Sequence, residues 1–221
     1  MLDRINIFRD VTSAQWVAIL EGASKTIQLT IVAIIIGMVL GLFLALGSIS
    51  KSKIVNKITW VYVWIFRGTP LLLQIVAIYY ALPSIGINFS ASASAIIALS
   101  LNSGAYLAEI IRAGIVSIDK GQMEASKALG MTYYQAMFKV IIPQSYRRLI
   151  PPVGNEAIML LKDSSLVSAI AMSELLRVSR TFASRSGNMI YFFIAALIYL
   201  FFTTIFTYIF QKLEQKYSAY E

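Results

Sequence analysis

The chain contains neither cysteine nor histidine. Without cysteine there are no disulfides, no thiolate metal ligands and no cysteine nucleophile. Without histidine there is no imidazole proton relay, no His-ligated zinc and no Ser–His dyad. Charge is also scarce, with Asp, Glu, Lys and Arg making up 14% of the residues against about 25% in a soluble domain. What fills the chain is apolar: 58% of its 221 residues are hydrophobic and the mean hydropathy is +0.72. A soluble enzyme with a polar surface is excluded, and an all-α membrane protein is the expected fold class. The net charge of +8 then reads as a topological bias towards one side of a membrane, not as a nucleic-acid surface. The start of the chain carries Asp3, Arg4, Arg9 and Asp10 without an apolar core, so it does not read as a signal peptide.

Five spans are expected, at about 22–48, 56–82, 92–118, 149–171 and 188–211, within one domain. The first has an uncharged run over 29–46, with Gly37, Gly41 and Gly47 spaced for close helix packing. The second is interrupted at Arg67-Gly68-Thr69-Pro70, where Thr69 can cap and Pro70 can start a second piece, so a kink is expected. Pro151-Pro152 is expected to open the fourth span, and the polar run Lys162-Asp163-Ser164-Ser165 to loosen it. Lys51, Lys53, Lys57, Lys120, Lys127, Lys139, Arg147, Arg148, Lys212 and Lys216 would share one side, against Arg4, Arg9, Lys25, Arg177, Arg180 and Arg185 on the other. Ten against six puts the C-terminus in the cytoplasm and the N-terminus outside. The stretch 173–185 would form a short amphipathic helix at the outer surface.

The polar stretch 119–143 is too charged for lipid and too apolar for a disordered linker. A short helix there is stopped by Gly130, which can adopt positive φ, and a second piece is expected to end before Pro143. Such a helix–glycine–helix elbow is a docking surface for another protein, or else an ordinary amphipathic loop.

The elbow reads Glu124-Ala125-Ser126, three residues ending in Leu129, Gly130, nine residues, then Val140-Ile141-Ile142-Pro143. This resembles the Glu-Ala-Ala loop of ABC importer permeases, with Ser126 for the second alanine and Val140 for the usual isoleucine. Arg67-Gly68-Thr69-Pro70-Leu71-Leu72-Leu73-Gln74, Ala105-Tyr106-Leu107-Ala108-Glu109-Ile110-Ile111-Arg112-Ala113-Gly114 and Leu161-Lys162-Asp163-Ser164-Ser165-Leu166 resemble its polar amino-acid branch and keep that family's order. The resemblance covers 22–212. It implies a bacterial inner-membrane subunit paired with a second permease, a copy or a close paralogue. It also implies two cytoplasmic ATPase subunits that hold ATP and magnesium, and an external amino-acid-binding protein. Glu124, Ala125, Ser126, Leu129, Gly130 and Pro143 would form the ATPase contact.

The chain's own inventory fits that division, since it has no GxxxxGK[ST] phosphate loop and Pro70 removes a donor from the nearest match. It is therefore expected to be non-catalytic and to hold no cofactor. Substrate contacts are expected at Lys162 and Asp163, which offer complements to the carboxylate and ammonium of an amino acid. Ser164 and Gln74 join them, as do Asn102, Ser103, Tyr106 and Glu109, polar positions of the third span. Each intramembrane charge costs roughly 2.5–3.5 kcal/mol at a helix centre, so all should face the interior or find partners. Glu109 and Arg112 are three apart and can pair with each other. Acidic Glu109 tilts the expected substrate towards arginine, lysine or histidine, with glutamine next. An ion-coupled carrier and an intramembrane Ser–Lys hydrolase using Ser164 or Ser165 with Lys162 are the alternatives from other classes.

Overall fold

The computed structural model describes residues 11–218, so Arg4 and Arg9 lie outside the described residues. Every long element among them is helical. α1 (Ser13–Ser48) starts nine residues earlier than the expected span. Thr12 caps it, its hydroxyl accepting from Gln15 N while the Gln15 side chain returns to the Thr12 amide. Lys25 lies inside this helix and stays exposed, because a lone charge does not end a helix when a cap further upstream can start it. At 1.5 Å per residue α1 is about 54 Å long, well beyond the roughly 30 Å of a hydrocarbon core.

Small residues set the central contact, between α1 and α4 (Ala91–Val116). A Cβ at Gly41 would stand 2.8 Å from the Leu107 Cβ, and one at Gly104 would stand 2.8 Å from Leu40 Cδ2. The two backbones approach because both surfaces lack side chains there, which is how helices associate where lipid gives no hydrophobic drive. Around this seam, Leu29, Ala33, Ile75, Leu99, Leu160, Val167 and Ile170 form one buried cluster. A second joins Ile19 and Ala23 to Leu175, Ile190 and Ile194. A third, at the other end, joins Ala45, Ile111 and Ile115 to Met137 and Ile141.

α2 (Lys53–Gly68) and α3 (Leu71–Val76) are bent by 102° across the break at Thr69 and Pro70. The expected kink is present, with the roles shifted by one residue: Pro70 is the N-cap, and Thr69 Oγ1 turns back to donate to Ile65 O at 2.8 Å. α3 continues through a π-turn at Ala77–Ala81 and a 3-10 turn at Leu82–Ile85.

After α4, α5 (Lys120–Ala128) and α6 (Tyr133–Ala136) form the elbow. The second piece does not end before Pro143. A π-turn at Met137–Ile141 carries α6 directly into α7 (Ile142–Asp163), and Pro143, which has no amide to bond the preceding turn, stands just after that widened turn. Nor do Pro151 and Pro152 open a segment, for both lie inside α7. Membrane helices tolerate such prolines because neighbouring groups can satisfy the released carbonyls. A 3-10 stretch (Ser164–Ile170), α8 (Leu175–Ser186) and α9 (Ile190–Ser218) complete the chain.

Among the described residues three helices are long and apolar enough to cross a membrane, namely α1, α4 and α9. The bent α2–α3 pair makes a fourth if it counts as one span. The segment expected as a further span, 149–171, is the second half of α7 with its 3-10 continuation, and it is not among them.

Candidate functional site

The elbow is built from caps. Asp119 Oδ1 accepts from Gly121 N to start α5. At its end Gly130 N donates to Lys127 O at 2.9 Å and Met131 N to Ser126 O at 3.1 Å, a Schellman closure that requires positive φ. Gly130 supplies φ +82°. Thr132 and Gln135 then form a capping box for α6. Glu124, Ala125 and Pro143 are exposed, and Leu129 is 80% exposed, whereas Ser126 is buried with its hydroxyl donating to Gln122 O at 2.6 Å. Tyr133, Tyr134 and Phe138 extend this exposed apolar surface.

The α2–α3 bend leaves carbonyls without helical partners, and side chains take them. Gln74 Nε2 lies 2.9 Å from Phe66 O, 3.1 Å from Thr69 O and 2.8 Å from Thr69 Oγ1. Asn102 Nδ2, from α4, donates to Phe66 O at 3.0 Å and to Gln74 Oε1 at 3.1 Å. Tyr62 donates to Leu101 O at 2.8 Å. Gln74 and Asn102 are thus brought together, and their buried amides hold the bend against α4.

Below the bend lies a cavity of about 610 Å3 lined by Asn56, Trp60, Trp64, Arg67, Glu109 and Arg112 among others. Glu109 accepts twice from Arg112, Oε1 from Nε and Oε2 from Nη2, each at 2.9 Å. Arg67 Nη1 stands 3.7 Å from the same Oε2, and its guanidinium sits 5.2 Å from the centre of the Tyr106 ring. Two guanidiniums against one carboxylate leave this corner with one net positive charge. On the α2 side of the wall the sequence singles out Arg67 but not its neighbours, although Asn56, Trp60, Val63 and Arg67 recur at helical spacing and mark one stripe.

At the end of α7, Lys162 and Asp163 form no salt bridge with each other or with another described residue. Helical geometry separates them: Lys162 continues the exposed stripe of Asn155 and Met159, while half-buried Asp163 lies seven residues from half-buried Glu156 on another face. Arg67 and Asp163 are both within electrostatic reach of Glu156. Ser103, fully buried, lies beside the Glu156 carboxylate without closing a hydrogen bond of normal geometry. Ser164 is buried and donates to Leu161 O at 2.7 Å, so its hydroxyl faces its own helix.

Glu174 is the residue that sequence reasoning missed. Fully buried, it caps α8 by accepting from Arg177 N at 2.6 Å and Leu176 N at 2.8 Å, and takes the Tyr199 hydroxyl at 3.1 Å. Burial pushes its carboxyl above the usual range, against the pull of those donors. An acid directly before an arginine-containing amphipathic helix was the available signal.

Residues 37–219 match the family of binding-protein-dependent transport system inner membrane components. The L-cystine transport system permease protein TcyB of Bacillus subtilis (strain 168) is 39% identical over 212 residues, 95% of this chain and 91% of TcyB. The arginine transport system permease protein ArtQ of the same organism is 39% identical over 217 residues, 97% of this chain and 99% of ArtQ. A solved amino acid ABC transporter, crystallised with histidines, superimposes with a TM-score of 0.85 at 40% identity, covering 90% of this chain and 94% of that one.

Proposed function

The chain belongs to the binding-protein-dependent transport inner membrane family, and from that premise we propose how this member selects and moves its substrate. Its relatives make it a non-catalytic permease subunit of a polar amino-acid ABC importer, working with ATPase subunits and a substrate-binding protein at the inner membrane. The finer reading is ours: the substrate is a basic amino acid, arginine, lysine or histidine. The observation that carries it is the pair of half-buried carboxylates, Glu156 and Asp163, on one face of α7 and without an ion pair among the described residues. Buried carboxylates in this state attract a cation strongly, since desolvation has already been incurred. Glu109 carries less of the argument than its sequence position suggests, because two arginines already neutralise it. Arg67 and Arg112 are the complementary site for the substrate carboxylate, with Tyr106 beneath Arg67. Gln74, Asn102 and Ser103 hold the walls.

In this reading ATP and magnesium reside on the partner ATPases, which dock on the elbow, and a second permease, either a copy or a paralogue, completes the pathway. The elbow end faces the cytoplasm, because the ten basic residues counted above lie on elements that end there. Closure of the ATPases is transmitted through α5 and α6 to the continuous α7, whose far end carries Asp163. The test is binding of arginine, lysine, histidine, glutamine and glutamate to the assembled transporter. Tighter binding of the basic set than of glutamine is expected. Preference for glutamine or glutamate would overturn the substrate assignment while leaving the family intact.

A further inference from the structure

The first half of α2 has an arrangement that amino-acid transport does not use. Lys51, Lys53 and Lys57 are all exposed, and none forms a salt bridge among the described residues. No local carboxylate is available to them, for the sequence has no Asp or Glu between Glu21 and Glu109. Two of them sit in the first turns of a helix, where the macrodipole disfavours cations, and the first turn has no acidic residue. Ser52 caps the amide of Val55, leaving the neighbouring first-turn amides open to an anion. Directly along the helix from these charges runs an apolar groove of about 340 Å3 lined by Ile54, Lys57, Ile58 and Val61. Ile54 is 74% exposed and Ile58 63%. Trp60 and Trp64, stacked with ring centres 6.0 Å apart, line the larger cavity instead.

An anion over the lysines and an acyl chain in the groove are both called for, and one molecule supplies both. We propose that this face of α2 binds an anionic phospholipid, its phosphate on Lys51, Lys53 and Lys57 and its chain against Ile54, Ile58 and Val61. Charge complementarity favours it over the same face of a second copy, which would set three lysines against three lysines with no carboxylate between Glu21 and Glu109 to answer them.

The assembled transporter, exchanged against vesicles of equal phosphatidylglycerol and phosphatidylcholine, is examined by native mass spectrometry. Retention of phosphatidylglycerol over phosphatidylcholine by about tenfold or more is expected. The variant K51Q/K53Q/K57Q should lose that preference, and K51R/K53R/K57R should keep it. Equal retention of the two lipids by the unaltered protein overturns the proposal, as does an undiminished preference in the glutamine variant. Efficient disulfide formation between copies through Ile58→Cys would also overturn it, since a second subunit would then cover the face. If the glutamine variant fails to assemble, the comparison of the two lipids on the unaltered protein still decides.

Discussion

Two helix breaks among the described residues, at Thr69-Pro70 and at Asp163, are treated in opposite ways. At Thr69 and Pro70 the chain turns by 102°, and three side chains, Thr69, Gln74 and Asn102, take up the carbonyls of Ile65, Phe66 and Thr69. At Asp163 the α-helix passes into a 3-10 stretch, Ser164 bonds its own helix, and the charged groups Lys162 and Asp163 have no ion-pair partner among the described residues. The first break is closed on itself and stiffens the wall. The second leaves charge available, which is tolerated at membrane depth only where a cavity or a ligand can answer it.

The largest expected effect tests the open break. Asp163→Asn removes the charge that would meet a cationic group and leaves the side-chain size unchanged. Affinity of the assembled transporter for arginine should fall by about a hundredfold, corresponding to a few kcal/mol. Thermal stability should hold or rise, because a desolvated charge is gone. Unchanged affinity would mean that the two breaks differ in shape but not in purpose.

Next in size is the closed break. Gln74→Leu leaves the Thr69 carbonyl without its donor and removes one of two donors to Phe66 O and one of two acceptors of Asn102 Nδ2, at about 1–3 kcal/mol. Asn102→Leu should cost a similar amount, and the double variant less than the sum, since both remove one network. A thermal-unfolding cycle on purified protein measures the coupling. Strict additivity would show that the two amides act independently and that the bend is held elsewhere.

The contrast between the breaks also shows what could be read from residues alone. The kink at Pro70 and the turn at Gly130 were legible because both arise from local backbone chemistry: a missing amide and a permitted positive φ. The partners of the kink were not. Gln74 and Asn102 lie 28 residues apart, and no local pattern joins them. Arg67 meeting Glu109 is the same case, whereas Arg112 with Glu109 was legible at a spacing of three. Prolines misled in the other direction. Pro143, Pro151 and Pro152 read as boundaries, but a π-turn upstream and packing against α4 and α9 let α7 run through them. Glu174 was missed because its hydroxyl partner comes from α9, 25 residues on.

Gly130 supplies a third interruption, one that lies outside the bundle. Its Cβ would meet no atom within 4 Å, so the cost of Gly130→Val is conformational, about 1–2 kcal/mol for a β-branched residue at φ +82°. Assembly in the membrane should survive, while substrate-stimulated ATP hydrolysis is lost. Normal stimulation would place the transmission between subunits away from the elbow.

The smallest effect separates the two residues on either side of the open break's pivot. Ser164 follows Asp163 in the chain, yet it is fully buried and its hydroxyl reaches Leu161 O at 2.7 Å. Ser164→Ala therefore removes one intrahelical bond whose acceptor has other lone-pair capacity, at a cost of about 0.5–1 kcal/mol. No substrate group is deprived of a partner, so arginine affinity should stay within about twofold of the unaltered protein while the melting temperature falls slightly. The pairing with Asp163→Asn is what gives this small number its weight. Adjacent residues would then move different observables, affinity for one and stability for the other. A large loss of affinity in Ser164→Ala would mean that the hydroxyl turns from Leu161 towards the cavity when substrate arrives. The break would then be a moving part instead of a fixed one.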